Sequence, residues 1–192
     1  MATQSKPITE HARTAKLIRK KLAALYPYTT FRVRSRSFSG GNDVRISWTD
    51  GPTEQEIQKL TAVHEFGHFD GMTDCYYYSN VHPNAPQVKY ISTTRTRSDA
   101  TYRAIVDQLN REWGWSLRLV ARTFDGTSYL DLDPASDGRI DNGGGWRSNE
   151  IHRAFYATSL VCPQCKHPRQ FTDAYCAECG VNQQPQDEQQ AA

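Results

Sequence analysis

Two Cys-x-x-Cys pairs, Cys162-Pro-Gln-Cys165 and Cys176-Ala-Glu-Cys179, stand ten residues apart near the end of a 192-residue chain. Each pair closes a tight knuckle that turns two sulfurs toward one point. Two knuckles brought together by a hairpin supply a closed tetrahedral set of thiolates. About twenty residues bury too little apolar surface to fold alone, so a bound metal would have to supply the folding free energy. The start, Met1-Ala2-Thr3-Gln4-Ser5-Lys6-Pro7, lacks the apolar stretch of a secretory signal, and a cytoplasmic address is expected. In reducing surroundings the pairs read as ligands of one structural zinc ion rather than as disulfides, and Cys75 as a free thiol.

Pro163, Tyr175 and Gly180 flank the cysteines in the order Cys-Pro-x-Cys, ten residues, aromatic-Cys-x-x-Cys-Gly. On those residues the segment resembles the short zinc-ribbon family. The resemblance leaves open whether such a ribbon contacts nucleic acid, a partner protein or its own neighbouring domain.

The rest of the chain has room for one ordinary domain. Hydrophobic residues make up 38% of the sequence and mean hydropathy is -0.72, so the core is modest. No apolar run is long enough to cross a bilayer. Residues 9–26 read as a helix capped by Thr9, with Ala15, Ile18, Leu22 and Leu25 along one stripe and Pro27 after its end. Phe31 to Phe38 and Val44 to Trp48 alternate, and Ser39-Gly40-Gly41-Asn42 joins them as a hairpin. Thr53 with Glu56 reads as the capping box of a helix to about Phe66. A loop follows to Gln87, then a strand over 88–93 and a helix from Asp99 to Trp113, ended by Gly114. The order α-β-β-α-β-α predicts an α+β domain, a small sheet covered by helices, over residues 1–124. A further strand is possible at 115–124. Residues 125–158, rich in Asp and Gly, read as a linker or long loop with Gly143-Gly144-Gly145 as its flexible point. Asp131, Asp133, Asp137 and Asp141 do not match EF-hand offsets. The ribbon then spans 159–181, and a Gln-rich disordered tail is expected over 182–192.

Charge is unevenly placed. Residues 1–50 hold ten Lys/Arg against three acids, and the remainder holds thirteen against eighteen. Period two puts Arg32, Arg34 and Arg36 on one face of the first strand, with Arg45 opposite the buried face of the second. Such a strip can track a polyanion such as nucleic acid; a merely solvated face is the other reading.

Residues 64–68 read His-Glu-Phe-Gly-His. On a helix His64 and His68 would share a face and hold a catalytic zinc, Glu65 would serve as general base, and Asp74 would be a third ligand. That makes a zinc metallopeptidase the alternative reading. Gly67 opposes it, because it is placed to end the helix before His68. No phosphate-binding lysine loop, dinucleotide glycine fingerprint or serine elbow is present, so no other enzyme class and no small-molecule cofactor is indicated.

Two further blocks, Trp48-Thr49-Asp50-Gly51-Pro52-Thr53 and Phe69-Asp70-Gly71-Met72, with Ser92-Thr93-Thr94-Arg95 ahead of a helix, carry a second resemblance. Over about residues 10–115 the chain is similar to the large polyvalent-protein-associated domain family, number twenty-nine of that series, found in proteins of phages and conjugative elements. The resemblance implies a phage or mobile-element setting and does not require His64, Glu65 or His68, at which this chain departs from it. The Phe69–Asp74 turn is itself expected to be structural, with Gly71 at positive φ or in close backbone packing and Phe69 and Met72 docked in the core. The expected function is a zinc-binding accessory protein recognising nucleic acid or a host nucleoprotein, away from membranes, with a protein-binding adaptor as the further alternative.

Overall fold

The computed structural model describes residues 8–138, 145–173 and 175–181. The expectations for Gly143, Gly144 and the 182–192 tail lie outside the described residues. The chain forms two compact units, one of residues 1–48 with 54–96 and another of 49–53 with 97–192.

In the first unit, α1 (Glu10–Leu25) precedes β1 (Arg32–Phe38) and β2 (Gly41–Thr49), and β2 is flanked by β1 and β5 (Tyr90–Thr96) in a three-stranded sheet. Thr9 occupies the helix N-cap without a side-chain cap bond, its Oγ1 instead meeting His11 Nε2 at 3.0 Å. The apolar stripe buries Ala15, Ile18 and Leu22, while Leu25 stays exposed. Val33, Val44, Ile46 and Trp48 supply the buried side of the sheet and α2 (Glu54–Thr61) adds Ile57. Each such aliphatic side chain contributes about 1.5–3 kcal/mol on burial. Arg19 Nη2 donates to Val33 O (2.7 Å) and Lys21 Nζ to Leu60 O (2.8 Å), tying α1 to the sheet and to α2.

The helix expected to reach Phe66 stops at Thr61, whose Oγ1 donates back to Ile57 O at 2.9 Å. Ala62–His64 tightens into a 3-10 turn. The chain then extends, with Phe66 N donating to Val88 O (3.0 Å) and Val88 N to His64 O (2.9 Å). The backbone hydrogen bonds released at the helix end are thus taken up by a strand partner.

Where a loop is predicted, β3 (His68–Asp70) and β4 (Cys75–Tyr77) form a short antiparallel ribbon. The core role expected for its turn is overturned. Phe69 is 49% and Met72 95% exposed, Asp74 rather than Gly71 has positive φ (53°), and nothing lies within 4 Å of a Cβ on Gly71. Asp70 organises the turn instead, its carboxylate accepting from Met72 N and Thr73 Oγ1. Those two bonds lower its pKa.

In the second unit, α3 (Asp99–Trp113) begins at Ser98, whose Oγ accepts from Thr101 N, and ends at Gly114 in the left-handed region, φ 65°. β6 (Leu119–Phe124) pairs with β7 (Thr127–Leu132) through Asp125-Gly126, both at positive φ. That dipeptide is a type I′ hairpin signal. α4 (Arg147–Ala157) follows. The stretch 125–158 read as a linker therefore contains a strand and a helix, and Leu132, Ile151 and Phe155 join Tyr102, Ile105, Val106 and Leu109 in one core. Asp131 and Asp133 pair with Arg122 and Arg118 at 3.0 and 3.1 Å. Within this unit, Asp50 Oδ1 accepts from Ser98 N (2.9 Å) and Gly51 O from Leu160 N (2.8 Å), across a turn with both residues at positive φ. No helix among the described residues is long and apolar enough to cross a membrane.

Candidate metal centre and arginine face

The two cysteine knuckles fold alike. Cys162 N donates to His167 O (2.8 Å) and Lys166 N to Cys162 O (3.0 Å); Cys176 N donates to Val181 O (2.9 Å) and Gly180 N to Cys176 O (2.8 Å). Lys166 and Gly180, at the same place in each knuckle, have φ of 61° and 71°. The turn demands left-handed backbone there, which suits Gly180 and strains Lys166.

The four Sγ atoms lie within 4.8 Å of one another. Cys162 and Cys179 approach to 3.5 Å and Cys165 and Cys176 to 3.6 Å. A disulfide would need about 2.0 Å, whereas a tetrahedron with metal–sulfur bonds of about 2.3 Å has sulfur edges of about 3.8 Å. The donor set therefore fits one thiophilic ion. Against the raising effect of burial, the amides of Cys165 and Gln164 facing its sulfur hold the Cys162 thiol down at about 6. Cys179 is pushed up to about 12. The Val181 amide lowers it, but desolvation and the Cys162, Cys176 and Cys165 sulfurs raise it further. Sulfurs so close do not all ionise without a cation between them. Among the described residues this is the one group of three or more possible ligands within reach of a single ion.

His64, Glu65, His68 and Asp74 form no such group. His64 ends the 3-10 turn, is buried, and has Nδ1 at 3.0 Å from Pro86 O. Glu65 is extended and accepts from Ile91 N at 2.9 Å, and burial raises its pKa. His68 starts β3, exposed, with Nδ1 at 3.3 Å from Ser79 Oγ and its ring stacked on Tyr77. Asp74 is exposed in the β3–β4 turn. The shared helical face that would aim both imidazoles at one ion is not formed.

Antiparallel register sets Arg34 opposite Arg45, Arg32 opposite Ser47 and Arg36 opposite Asp43, so the four arginines lie on the exposed side of the β1–β2 hairpin. Asp43, buried beneath them, accepts from Arg36 Nε at 3.0 Å and Arg45 Nε at 3.1 Å. Arg32 and Arg34 make no ion pair within the described residues. Sequence reasoning missed Asp43 as their counter-ion, although period two places it on their face. It also missed the aromatic continuation of that face: Arg36 lies 5.4 Å over the Phe38 ring, which stacks on Tyr90 at 6.1 Å.

The architecture is that of a helix-covered three-stranded α+β domain in a chain that also carries a cluster of four cysteines placed within reach of a single metal ion. Residues 9–98 match the family model described as Large polyvalent protein associated domain 29. The match covers slightly under half of the chain and ends at the N-cap of α3, short of the residue 115 expected from the resemblance. No curated protein and no solved structure matches the chain.

Proposed function

We propose that this is a zinc-stabilised accessory protein of a phage or other mobile element, which recognises nucleic acid or a nucleoprotein through the arginine face of its first unit. The observation that carries the reading is the β1–β2 register, which sets four arginines on one exposed face against the single carboxylate of Asp43. Arginines alternating along a strand lie about 6.8 Å apart, a spacing suited to successive phosphates of a backbone. Cys162, Cys165, Cys176 and Cys179 would hold zinc, a closed thiolate set leaving no open position for substrate. Oxygen-preferring ions such as magnesium and calcium do not suit four sulfurs. The bound ion would fix the two knuckles and supply structure rather than chemistry.

Fluorescence anisotropy with mixed-sequence oligonucleotides at two salt concentrations tests the reading. Binding is expected to weaken with salt, and Arg32→Ser with Arg34→Ser to flatten the log–log slope by about 0.7 for each phosphate of a single strand that is no longer neutralised. No binding at low salt, or a double variant that binds as the parent does, would favour a protein-binding adaptor.

A further inference from the structure

We infer that the ligand of this face is single-stranded nucleic acid, engaged by a row of aromatic rings that continues the arginine strip; the inference rests on the nucleic-acid reading above. Period two defines the face. Gln58 of α2 donates to Thr93 at 3.1 Å, so Thr93 points to the helix side, and Tyr90, Ser92 and Thr94 point away from it. Phe38 shares the parity of Arg32, Arg34 and Arg36 on β1. Its stacking on Tyr90, 24° between planes, joins the two strands' exposed sides into one surface.

From Tyr90 the rings continue. Tyr76 sets its edge against Tyr90 at 5.4 Å, and Tyr78 packs against Tyr76 at 4.9 Å. Lys89 Nζ lies 5.0 Å from the Tyr76 ring and 5.4 Å from Tyr90. The row is thus held by ring–ring and cation–π contacts while its outer members stay open, Phe38 at 40% and Tyr78 at 60% exposure. Single exposed rings are ordinary, but rings joined into one exposed patch and rimmed by charge mark a contact surface. Beside four guanidinium groups, the complementary partner is a polyanion that also carries planar faces. A duplex hides its base faces in its own stack, whereas a single strand presents them. Base–aromatic stacking of this kind tolerates any sequence, because every base has a π face.

The test compares one fluorescein-labelled mixed-sequence strand with the same strand annealed to its complement, using the full-length protein at low salt. The single strand is expected to bind at least about tenfold more tightly. Phe38→Ala and Tyr78→Ala should each weaken single-strand binding about tenfold and duplex binding less than twofold. Arg32→Ser with Arg34→Ser should weaken both. Phe38→Trp, which keeps a ring, should retain the parental affinity, and thermal melts of the variants check that each is folded. Equal affinity for the two forms, equal losses on both, or a Phe38→Trp variant as weak as Phe38→Ala overturns the single-strand inference and leaves the arginine reading standing. Absence of binding by the parent to either form overturns the arginine reading itself.

Discussion

The chain carries two motifs whose spacing suggests a metal, and folding treats them oppositely. In the Cys162–His167 and Cys176–Val181 knuckles the geometry is closed within six residues by two backbone hydrogen bonds each. Whatever surrounds a knuckle, its two sulfurs face the same way. The His64-Glu65-x-x-His68 motif depends instead on a helix continuing through it, since only 3.6-residue periodicity brings i and i+4 together. The helix ends at Thr61, and His64 and His68 part, one under Pro86 and the other on a ribbon beside Ser79. A short motif is informative to the extent that its own residues determine its geometry.

The largest expected effect tests that contrast at the metal. Purified protein should hold one zinc per chain by elemental analysis. Cys162→Ser with Cys165→Ser should reduce that to nearly none and unfold the ribbon, since structural zinc contributes on the order of 10 kcal/mol in modules of this kind. His64→Ala with His68→Ala should leave the stoichiometry at one. Zinc kept by the cysteine variant and lost by the histidine variant would reverse the assignment, and a red, iron-containing protein would change the ion.

A smaller effect tests the close approach that seats the β3–β4 ribbon after the helix has ended at Thr61. A Cβ built on Gly67 would lie 1.8 Å from Tyr77 O and 2.9 Å from Ser79 N, backbone atoms that cannot swing away. Gly71 has open space around it. Gly67→Ala should therefore cost about 3 kcal/mol, at the upper end of overpacked positions, and Gly71→Ala within about 0.5 kcal/mol. Chemical denaturation of both variants decides it; equal losses would mean that the ribbon does not depend on the close approach at Gly67.

How far the sequence could be read follows the same division. The knuckles, α3 with its Ser98 and Gly114 boundaries, and the parity of Arg32, Arg34, Arg36 and Arg45 are set by local turns, caps and alternation. They were legible for that reason. The β3–β4 ribbon was not, because its three-residue strands are too short for alternation to show and the pairing of Phe66 with Val88 is non-local. β7 was missed although Asp125-Gly126 announces a hairpin, since the Asp and Gly residues after Phe124 suggested a linker. α4 was missed because its polar residues outnumber Ile151 and Phe155, the two side chains that it fully buries. The aromatic row runs through residues from β1, β4 and β5, and only the fold brings it together.

The smallest effect asks what Glu65 does in the place of a general base. Its carboxylate accepts from Ile91 N at 2.9 Å, a bond that favours ionisation, but burial outweighs it and its pKa is raised above 4.5. The folded state therefore holds the proton more tightly than the unfolded chain. The favourable contribution of the protonated carboxyl is complete below the unfolded value and is lost as pH rises through the raised folded value. At neutral pH the ionised group is a small liability. Glu65→Gln keeps an oxygen for the Ile91 amide and removes the charge, so it should stabilise the protein by less than about 1 kcal/mol at pH 7, a figure kept low because half-exposed charges are screened by solvent. The gain should shrink as pH falls toward the ordinary carboxylate range and vanish below it. Thermal melts of parent and variant from pH 4 to pH 8 follow the difference. A variant less stable than the parent at neutral pH would mean that the charge at Glu65 is itself held by a partner, and the equivalence of Glu65 with a backbone-pairing residue would fail.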